Sequence, residues 1–171
     1  MQCYAPRLAD VMFMTAFTEL MRHAIEAARR GIAAGDSPFG AAIARCEGDL
    51  IVTAHNTVLS SSDSTAHAEI NAIREACAKL GRIDLRGHIM ATTCEPCPMC
   101  AAAIHWAGLD AVAFGATIFD ASKAGFSELS LSCAALYEQG GSTVTVHTGV
   151  LSGLCRTLFD AWLARPGSRA Y

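Results

Sequence analysis

Two short motifs, separated by about thirty residues, constrain this chain more than any other feature of its sequence. The first is HAE at 67–69, and the second is PCPMC at 96–100. Thiolate sulfur and imidazole nitrogen are ligands that zinc prefers, and a Cys-x2-Cys pair at a helix start can place both sulfurs on one ion. The sequence therefore predicts a metal site formed by His67, Cys97 and Cys100, at the starts of two helices.

Apolar residues recur every three to four positions in several segments, which predicts α-helices. The first helix is expected to run from Asp10, a good N-cap residue, to stop signals at Gly31 and Gly35. Ser64 or Thr65 is expected to cap a second helix, which stops at Gly81. Further helices are predicted from Pro98 to Gly108, around 131–139 and at 153–164, and a loop is predicted at 60–65.

Short apolar runs bounded by turn residues predict the strands of a single sheet. The runs are 40–46, 50–54, 88–93, 111–115 and 142–147, and the first two read as a β-hairpin. Because helices alternate with these strands, we expect an α/β sandwich with a mixed sheet of about five strands. We find no linker and predict one domain over residues 1–171.

Charge and cysteine content narrow the classes of function. The formal net charge of −3 gives no general attraction to nucleic acid, so RNA is a less favoured partner than a small molecule. The apolar run at 11–17 is too short to span a membrane, and no secretory signal precedes it. Eight cysteines without such a signal predict a reducing, cytoplasmic location in which clustered thiols bind metal.

The chemistry of the predicted site depends on how many ligands the protein supplies. With three ligands, the fourth tetrahedral position can hold water, which zinc acidifies towards neutral pH. Glu69, near the metal but not a ligand, is then placed to act as a general acid and base. The alternative is a non-catalytic zinc module in which Cys94 serves as a fourth ligand and closes the site.

The order of these motifs resembles the cytidine deaminase superfamily of zinc-dependent nucleobase and nucleoside deaminases. The resemblance extends through PFGAAI at 38–43, STAHAEINAIREAC at 64–77, CEPCPMCAAAIHWAG at 94–108 and FDASKAGF at 119–126. It implies a three-layer α/β/α fold, one Zn²⁺ per chain, a homodimer and the hydrolytic removal of an exocyclic amine. Within the superfamily the chain is most similar to guanine deaminases, which convert guanine to xanthine and ammonia. The alternatives are tRNA-specific adenosine deaminases and deaminases of cytosine or another aminated heterocycle.

The resemblance also implies roles for residues outside the metal site. Asp120 resembles an acidic group that helps to move protons to the departing amine, and its alternative is a helix cap. Asn56 resembles an asparagine that hydrogen-bonds the purine, and its alternative is a turn residue. The C-terminal Tyr171 resembles an aromatic residue that closes an active site, in some relatives that of the partner subunit; its alternative is a frayed end. The remaining candidate substrate contacts are Phe39, Ala68 and Trp106. The two aromatic residues could stack on the base, but aromatic residues at the ends of elements more often belong to the core.

Overall fold

The computed structural model describes residues 8–171, with side chains from residue 14 onwards. The first helix, α1 (Leu8–Ala34), already includes Leu8, so the prediction that Asp10 caps it is wrong. The helix also continues through Gly31 and ends only before Gly35, whose positive φ of 98° suits glycine. The predicted apolar position at Phe13 lies outside the described side chains.

The sheet has five strands in the order β2-β1-β3-β4-β5. The strands are β1 (Gly40–Arg45), β2 (Leu50–His55), β3 (His88–Cys94), β4 (Ala111–Ala116) and β5 (Thr145–Thr148). Strand β1 pairs antiparallel with β2 and β3, whereas β3, β4 and β5 are mutually parallel. The predicted hairpin and the mixed five-stranded sheet are therefore confirmed.

Helices cover both faces of this sheet. They are α2 (Val58–Ser61), α3 (Ala68–Leu80), α4 (Pro98–Ala107), α5 (Ile118–Lys123), α6 (Cys133–Gly140) and α7 (Ser152–Leu163). Helices α1 and α7 pack on each other and on the sheet, while α3 and α4 pack together on the other side, with α6 against α4. The arrangement is the expected three-layer α/β/α sandwich.

Small residues allow these layers to approach closely. Ala24 and Ala28 of α1 are fully buried against β1, where a Cβ at Gly40 would clash with the Ala24 carbonyl oxygen. The many alanines thus allow the helix and the sheet to pack closely. This close packing fixes the position of the strand ends. No helix within residues 8–171 combines the length and the apolar character needed to cross a membrane.

Several element boundaries differ from the predictions for local reasons. Helix α3 begins at Ala68 rather than after Ser64 or Thr65, because the Thr65 amide and hydroxyl both donate to Asp63 in a turn. Part of the predicted loop at 60–65 belongs to the short helix α2. Strand β5 begins at Thr145 because Ser142 instead accepts a hydrogen bond from the Val144 amide.

Candidate metal centre

Two helix N-termini face each other beyond the carboxyl end of β3. His67 is the N-cap residue of α3 and Cys97 is the N-cap residue of α4, and both have extended backbone conformations. Neither side chain caps its own helix by a hydrogen bond, so both remain available to a ligand. The His67 Nδ1 atom lies 3.6 Å from Cys97 Sγ and 3.5 Å from Cys100 Sγ.

These distances fit a tetrahedral zinc ion. Zn–S and Zn–N bonds of about 2.3 and 2.0–2.1 Å at tetrahedral angles separate sulfur from nitrogen by about 3.6 Å. The donor atoms of His67, Cys97 and Cys100 all lie within 4.8 Å of one another, and no other such group occurs among the described side chains. The three predicted ligands are therefore placed to bind one zinc ion and leave its fourth position open.

The two cysteines of this group have opposite protonation tendencies. A hydrogen bond with Cys100, helped by His67, lowers the pKa of the Cys97 thiol to about 4 despite its partial burial. The hydrogen bond with Cys97 and burial raise the pKa of Cys100 well above the usual range. The hydrogen bond between the two sulfurs thus favours the thiolate on Cys97, and zinc binding would also require deprotonation of Cys100.

Glu69 lies next to the metal ligands without joining them. Its side chain is buried, and its Oε1 accepts a hydrogen bond of 3.2 Å from the Thr92 hydroxyl on β3. Burial raises the pKa of Glu69 to about 7, although the nearby His67 opposes this shift. A carboxyl group with a pKa near neutrality can both accept and donate a proton, as general acid–base chemistry requires.

A narrow cavity opens beside these ligands and leaves room for about one water molecule. It is lined by Phe39, Asn56, His67, Glu69, Cys94, Glu95, Cys97 and Glu128. Of the predicted substrate contacts, the structure brings Phe39 and Asn56 to this cavity.

The C-terminal tyrosine contacts Asn56, a residue of the cavity wall, without itself lining the cavity. The Asn56 side-chain amide donates a 2.7 Å hydrogen bond to the Tyr171 hydroxyl, while Asn56 Oδ1 accepts from the Val58 amide. The Tyr171 ring packs edge-on against Phe126, with 5.6 Å between ring centroids, and its carbonyl accepts from the Ser127 amide. The chain end is therefore held in place by three contacts around the cavity.

Five predicted site residues do not line the cavity: the metal ligand Cys100, Tyr171, Asp120, Trp106 and Ala68. Asp120 belongs to a capping box: its carboxylate accepts from the Thr117 amide and hydroxyl at the start of α5, which is its alternative role. Trp106 is 80% exposed on the outer face of α4, because it lies two positions beyond the buried Ile104. Ala68 is fully buried at the first position of α3, between His67 and Glu69.

Glu128 is a cavity residue that the sequence reasoning missed. It lies in the loop between α5 and α6, and burial together with the nearby Cys97 raises the pKa of its carboxyl group. The motif 119–126 ends two residues earlier, and an acidic residue just beyond it was the only available signal. Glu95 also lines the cavity, but its two oxygens accept hydrogen bonds from the Ile118 and Cys133 backbone amides. The further carboxyl group at the cavity is therefore Glu128 rather than Asp120.

Cys94 shares the cavity wall but is separate from the metal group. Its Sγ donates to the Thr117 carbonyl oxygen at 3.4 Å, and burial raises its pKa well above the usual range. Its sulfur is not among the donor atoms of His67, Cys97 and Cys100, which lie within 4.8 Å of one another. This arrangement argues against the closed, four-ligand zinc module.

Comparison with known proteins agrees with this geometry. The cytidine and deoxycytidylate deaminase zinc-binding region matches residues 14–116, which include every proposed metal ligand. The chain belongs to this family. It is accordingly a deaminase of the hydrolase class that uses zinc, and its fold and metal site are those expected of that family.

The relatives of this deaminase include guanine deaminases and tRNA-specific adenosine deaminases. The chain is 46% identical to a guanine deaminase of Bacillus subtilis over 63% of its own length and 69% of the relative's. It is 36% identical to a tRNA-specific adenosine deaminase of Bacillus subtilis over 83% of its length and 85% of the relative's. A solved guanine deaminase from Nitrosomonas europaea superposes with a TM-score of 0.78 at 28% identity, covering 96% and 97% of the two chains.

Proposed function

We propose that this deaminase hydrolyses guanine to xanthine and ammonia. The observation that carries the proposal is the small cavity beside the metal ligands, which is lined by the Asn56 side-chain amide and by the carboxyl groups of Glu69, Glu95 and Glu128. An amide with a donor and an acceptor suits the edge of a purine, and the enclosed walls suit a free base better than a polynucleotide. The formal net charge of −3 also favours a small-molecule substrate.

Each residue of the site has a distinct task in this reaction. His67, Cys97 and Cys100 hold the zinc ion, which when bound acidifies a water molecule to supply a nucleophile for the amino-bearing carbon C2 of guanine. Glu69 accepts the proton of that water and transfers it to the ring nitrogen beside C2. Glu69 then takes up the proton of the hydroxyl group added at C2 and, helped by a second acidic group, passes it to the departing amine, so that guanine and water yield xanthine and ammonia.

Glu128 is the better candidate for the second proton-carrying group. Its carboxyl group lines the cavity, and its raised pKa favours a protonated form that can donate to the leaving amine. The Asp120 carboxylate, by contrast, is held by the backbone and hydroxyl of Thr117, and these hydrogen bonds help to lower its pKa. We therefore assign to Glu128 the role first given to Asp120.

Phe39 and Tyr171 are proposed to bracket the base. Phe39 packs against Phe126, which also contacts Tyr171, so the two candidate walls share one aromatic support. Because the cavity admits only about one water, a purine must displace the Tyr171 hydroxyl from Asn56 on entry. The tail then closes over the bound base and excludes bulk water.

A homodimer is the proposed assembly. The outer face of α4 carries half-buried Met99, Ala102 and Ala103 beside exposed Trp106, and this apolar stripe follows directly from the metal ligands at the start of the helix. An apolar helix face of this kind is typical of a protein–protein contact. A second copy packed on α4 would bring two metal sites close to one interface.

The second candidate function is the deamination of adenosine in tRNA. It is favoured by one observation, the 36% identity to a tRNA-specific adenosine deaminase over a larger share of both chains. Such an enzyme needs contacts to RNA phosphates, and its binding would weaken steeply with salt.

A screen for ammonia release separates these substrates. Zinc-loaded protein is incubated with guanine, guanosine, adenine, cytosine, cytidine and an anticodon stem-loop RNA, and a Glu69→Gln variant serves as the inactive control. We expect ammonia and xanthine from guanine. Inosine in the RNA with no turnover of guanine would contradict the proposal and support the second candidate.

A further inference from the structure

A buried carboxylate lies behind the cavity, in the loop between α1 and β1. Asp36 is only 3% exposed, and its two oxygens accept hydrogen bonds from the Ser60 amide and hydroxyl at 3.2 and 3.0 Å. Its own amide donates to the Gly31 carbonyl oxygen at the end of α1. A buried charge is costly unless it is fully partnered, so this residue connects α1 to α2 at a fixed distance.

The third partner of Asp36 is a histidine that α1 accommodates by means of a glycine. The His55 Nε2 atom lies 3.8 Å from Asp36 Oδ2. A Cβ at Gly31 would fall 2.9–3.0 Å from three atoms of the His55 side chain, closer than side-chain packing normally allows. The continuation of α1 through Gly31 thus provides the space in which the His55 ring lies.

These residues adjoin both cavity residues proposed to contact the base. His55 directly precedes Asn56, and Asp36 lies three residues before Phe39. The Asn56 backbone amide donates a 3.0 Å hydrogen bond to the Phe39 carbonyl oxygen, and this bond joins the two segments. A shift of the His55 ring or of the Asp36 loop would therefore be transmitted directly to the side chains that face the substrate.

We infer that Asp36 and His55 are positioning residues that set the placement of Asn56 and Phe39, with Gly31 providing the required space. They touch neither the metal ligands nor the base and act on substrate binding alone. This inference rests on the proposed function, because it assumes that Asn56 and Phe39 contact the base. The expected signature is a higher KM with an unchanged kcat, since proton transfer by Glu69 is unaffected.

Matched glycine substitutions test this directly. Gly31→Ala places a methyl group against His55, whereas Gly153→Ala in α7 places one in open space, and both glycines are helical with negative φ. We expect Gly31→Ala to raise the KM for guanine about 5- to 30-fold, the ratio that 1–2 kcal/mol produces, with kcat and zinc content retained. Gly153→Ala should leave KM unchanged.

Two further variants distinguish positioning from general destabilisation. Asp36→Asn should raise KM by a similar factor, and Gly31→Ala should have no added effect on KM in an H55A background, because the clash is then absent. Additive effects in the double variant, or a fall in kcat and zinc content with unchanged KM, would overturn the inference.

A structural readout separates this inference from the proposed substrate. Crystal structures of unliganded wild type and Gly31→Ala are compared for the position of the Asn56 side chain and its hydrogen bond from the Val58 amide. We expect Asn56 to be displaced in the variant, whether or not guanine proves to be the substrate. An unmoved Asn56 would refute the positioning role, whereas wild-type protein inert towards guanine would refute only the substrate.

Discussion

At the scale of single residues, the two acidic side chains that the sequence suggests for proton transfer lie in different environments. Glu69 is buried beside the metal ligands and bonded to Thr92, and burial brings its pKa to about 7. Asp120 is half-buried in a capping box, and the hydrogen bonds of that box help to lower its pKa. The environment, rather than residue type, decides which carboxyl group can exchange protons near neutral pH.

The first prediction concerns Glu69. Glu69→Gln keeps the shape of the side chain and an acceptor for the Thr92 hydroxyl but cannot carry the proton. We expect kcat to fall by about 10²- to 10⁴-fold while the zinc content stays at that of wild type. Activity is measured by ammonia release and zinc by atomic absorption, and a fully active variant would contradict the assignment of Glu69.

The second prediction separates the two acidic candidates for the second proton transfer. Glu128→Gln should lower kcat by about tenfold or more, because it removes a carboxyl group from the cavity. Asp120→Asn should affect mainly thermal stability, since its carboxylate caps α5 and a lost cap costs about 1 kcal/mol. The reverse pattern, with kcat reduced only by Asp120→Asn, would restore the role first inferred from the sequence.

The third prediction concerns the three clustered cysteines. Cys97→Ser should abolish stoichiometric zinc binding, because the hydroxyl does not form an anionic ligand at neutral pH. Cys94→Ser should retain one zinc per chain, since its sulfur faces the Thr117 carbonyl oxygen instead of the metal group. Zinc loss in Cys94→Ser at wild-type thermal stability would indicate that Cys94 is a ligand.

At the scale of elements, the structure shows which features of the sequence carried enough local information. Helix α4 was predicted from Pro98 and Gly108, because start and stop signals act within one turn. The start of α3 was misplaced, since Ser64 and Thr65 look like caps but belong to a turn around Asp63.

The metal ligands could be predicted and the rest of the cavity only in part. His67, Cys97 and Cys100 are identified by residue type and spacing alone, whereas Glu128 reaches the cavity through a loop whose path depends on tertiary packing. Trp106 is a candidate stacking residue from the sequence, but it faces outwards because it lies two positions beyond the buried Ile104 on α4.

The fourth prediction tests the apolar face of α4. Trp106→Glu should shift the protein from dimer to monomer, because it places a charge on the proposed contact surface. Ile83→Glu is the matched control, since Ile83 is 85% exposed but belongs to the α3–β3 connection rather than to the apolar face of α4. Sedimentation analysis of both variants decides the question; equal association states would exclude this face as the interface.

At the scale of the whole molecule, the fold brings Tyr171 close to the metal ligands, with 6.4 Å between the ring centroids of His67 and Tyr171. After α7 the chain end runs to the edge of the cavity, where the Tyr171 hydroxyl accepts a hydrogen bond from the Asn56 side-chain amide. Burial raises the pKa of Tyr171 to about 12, so the hydroxyl remains protonated at all pH values at which the protein would act. The Tyr171 hydroxyl would therefore compete with the base for the Asn56 side chain as a neutral group.

The fifth prediction follows from this competition. Tyr171→Phe removes the hydrogen bond to Asn56 but keeps the ring on Phe126. We expect the KM for guanine to fall about 2- to 10-fold, the value of one net hydrogen bond, at unchanged kcat. Steady-state kinetics provide the measurement, and a rise in KM would show that the hydroxyl binds the substrate rather than competing with it.

The most direct test of the account is a competition between the two substrate classes. Zinc-loaded protein is given guanine and an anticodon stem-loop RNA together, and xanthine and inosine are quantified by mass spectrometry at low and high salt. The account predicts xanthine at both salt concentrations and no inosine, with the product lost in Glu69→Gln. Inosine that forms at low salt and disappears at high salt, without xanthine, would contradict it.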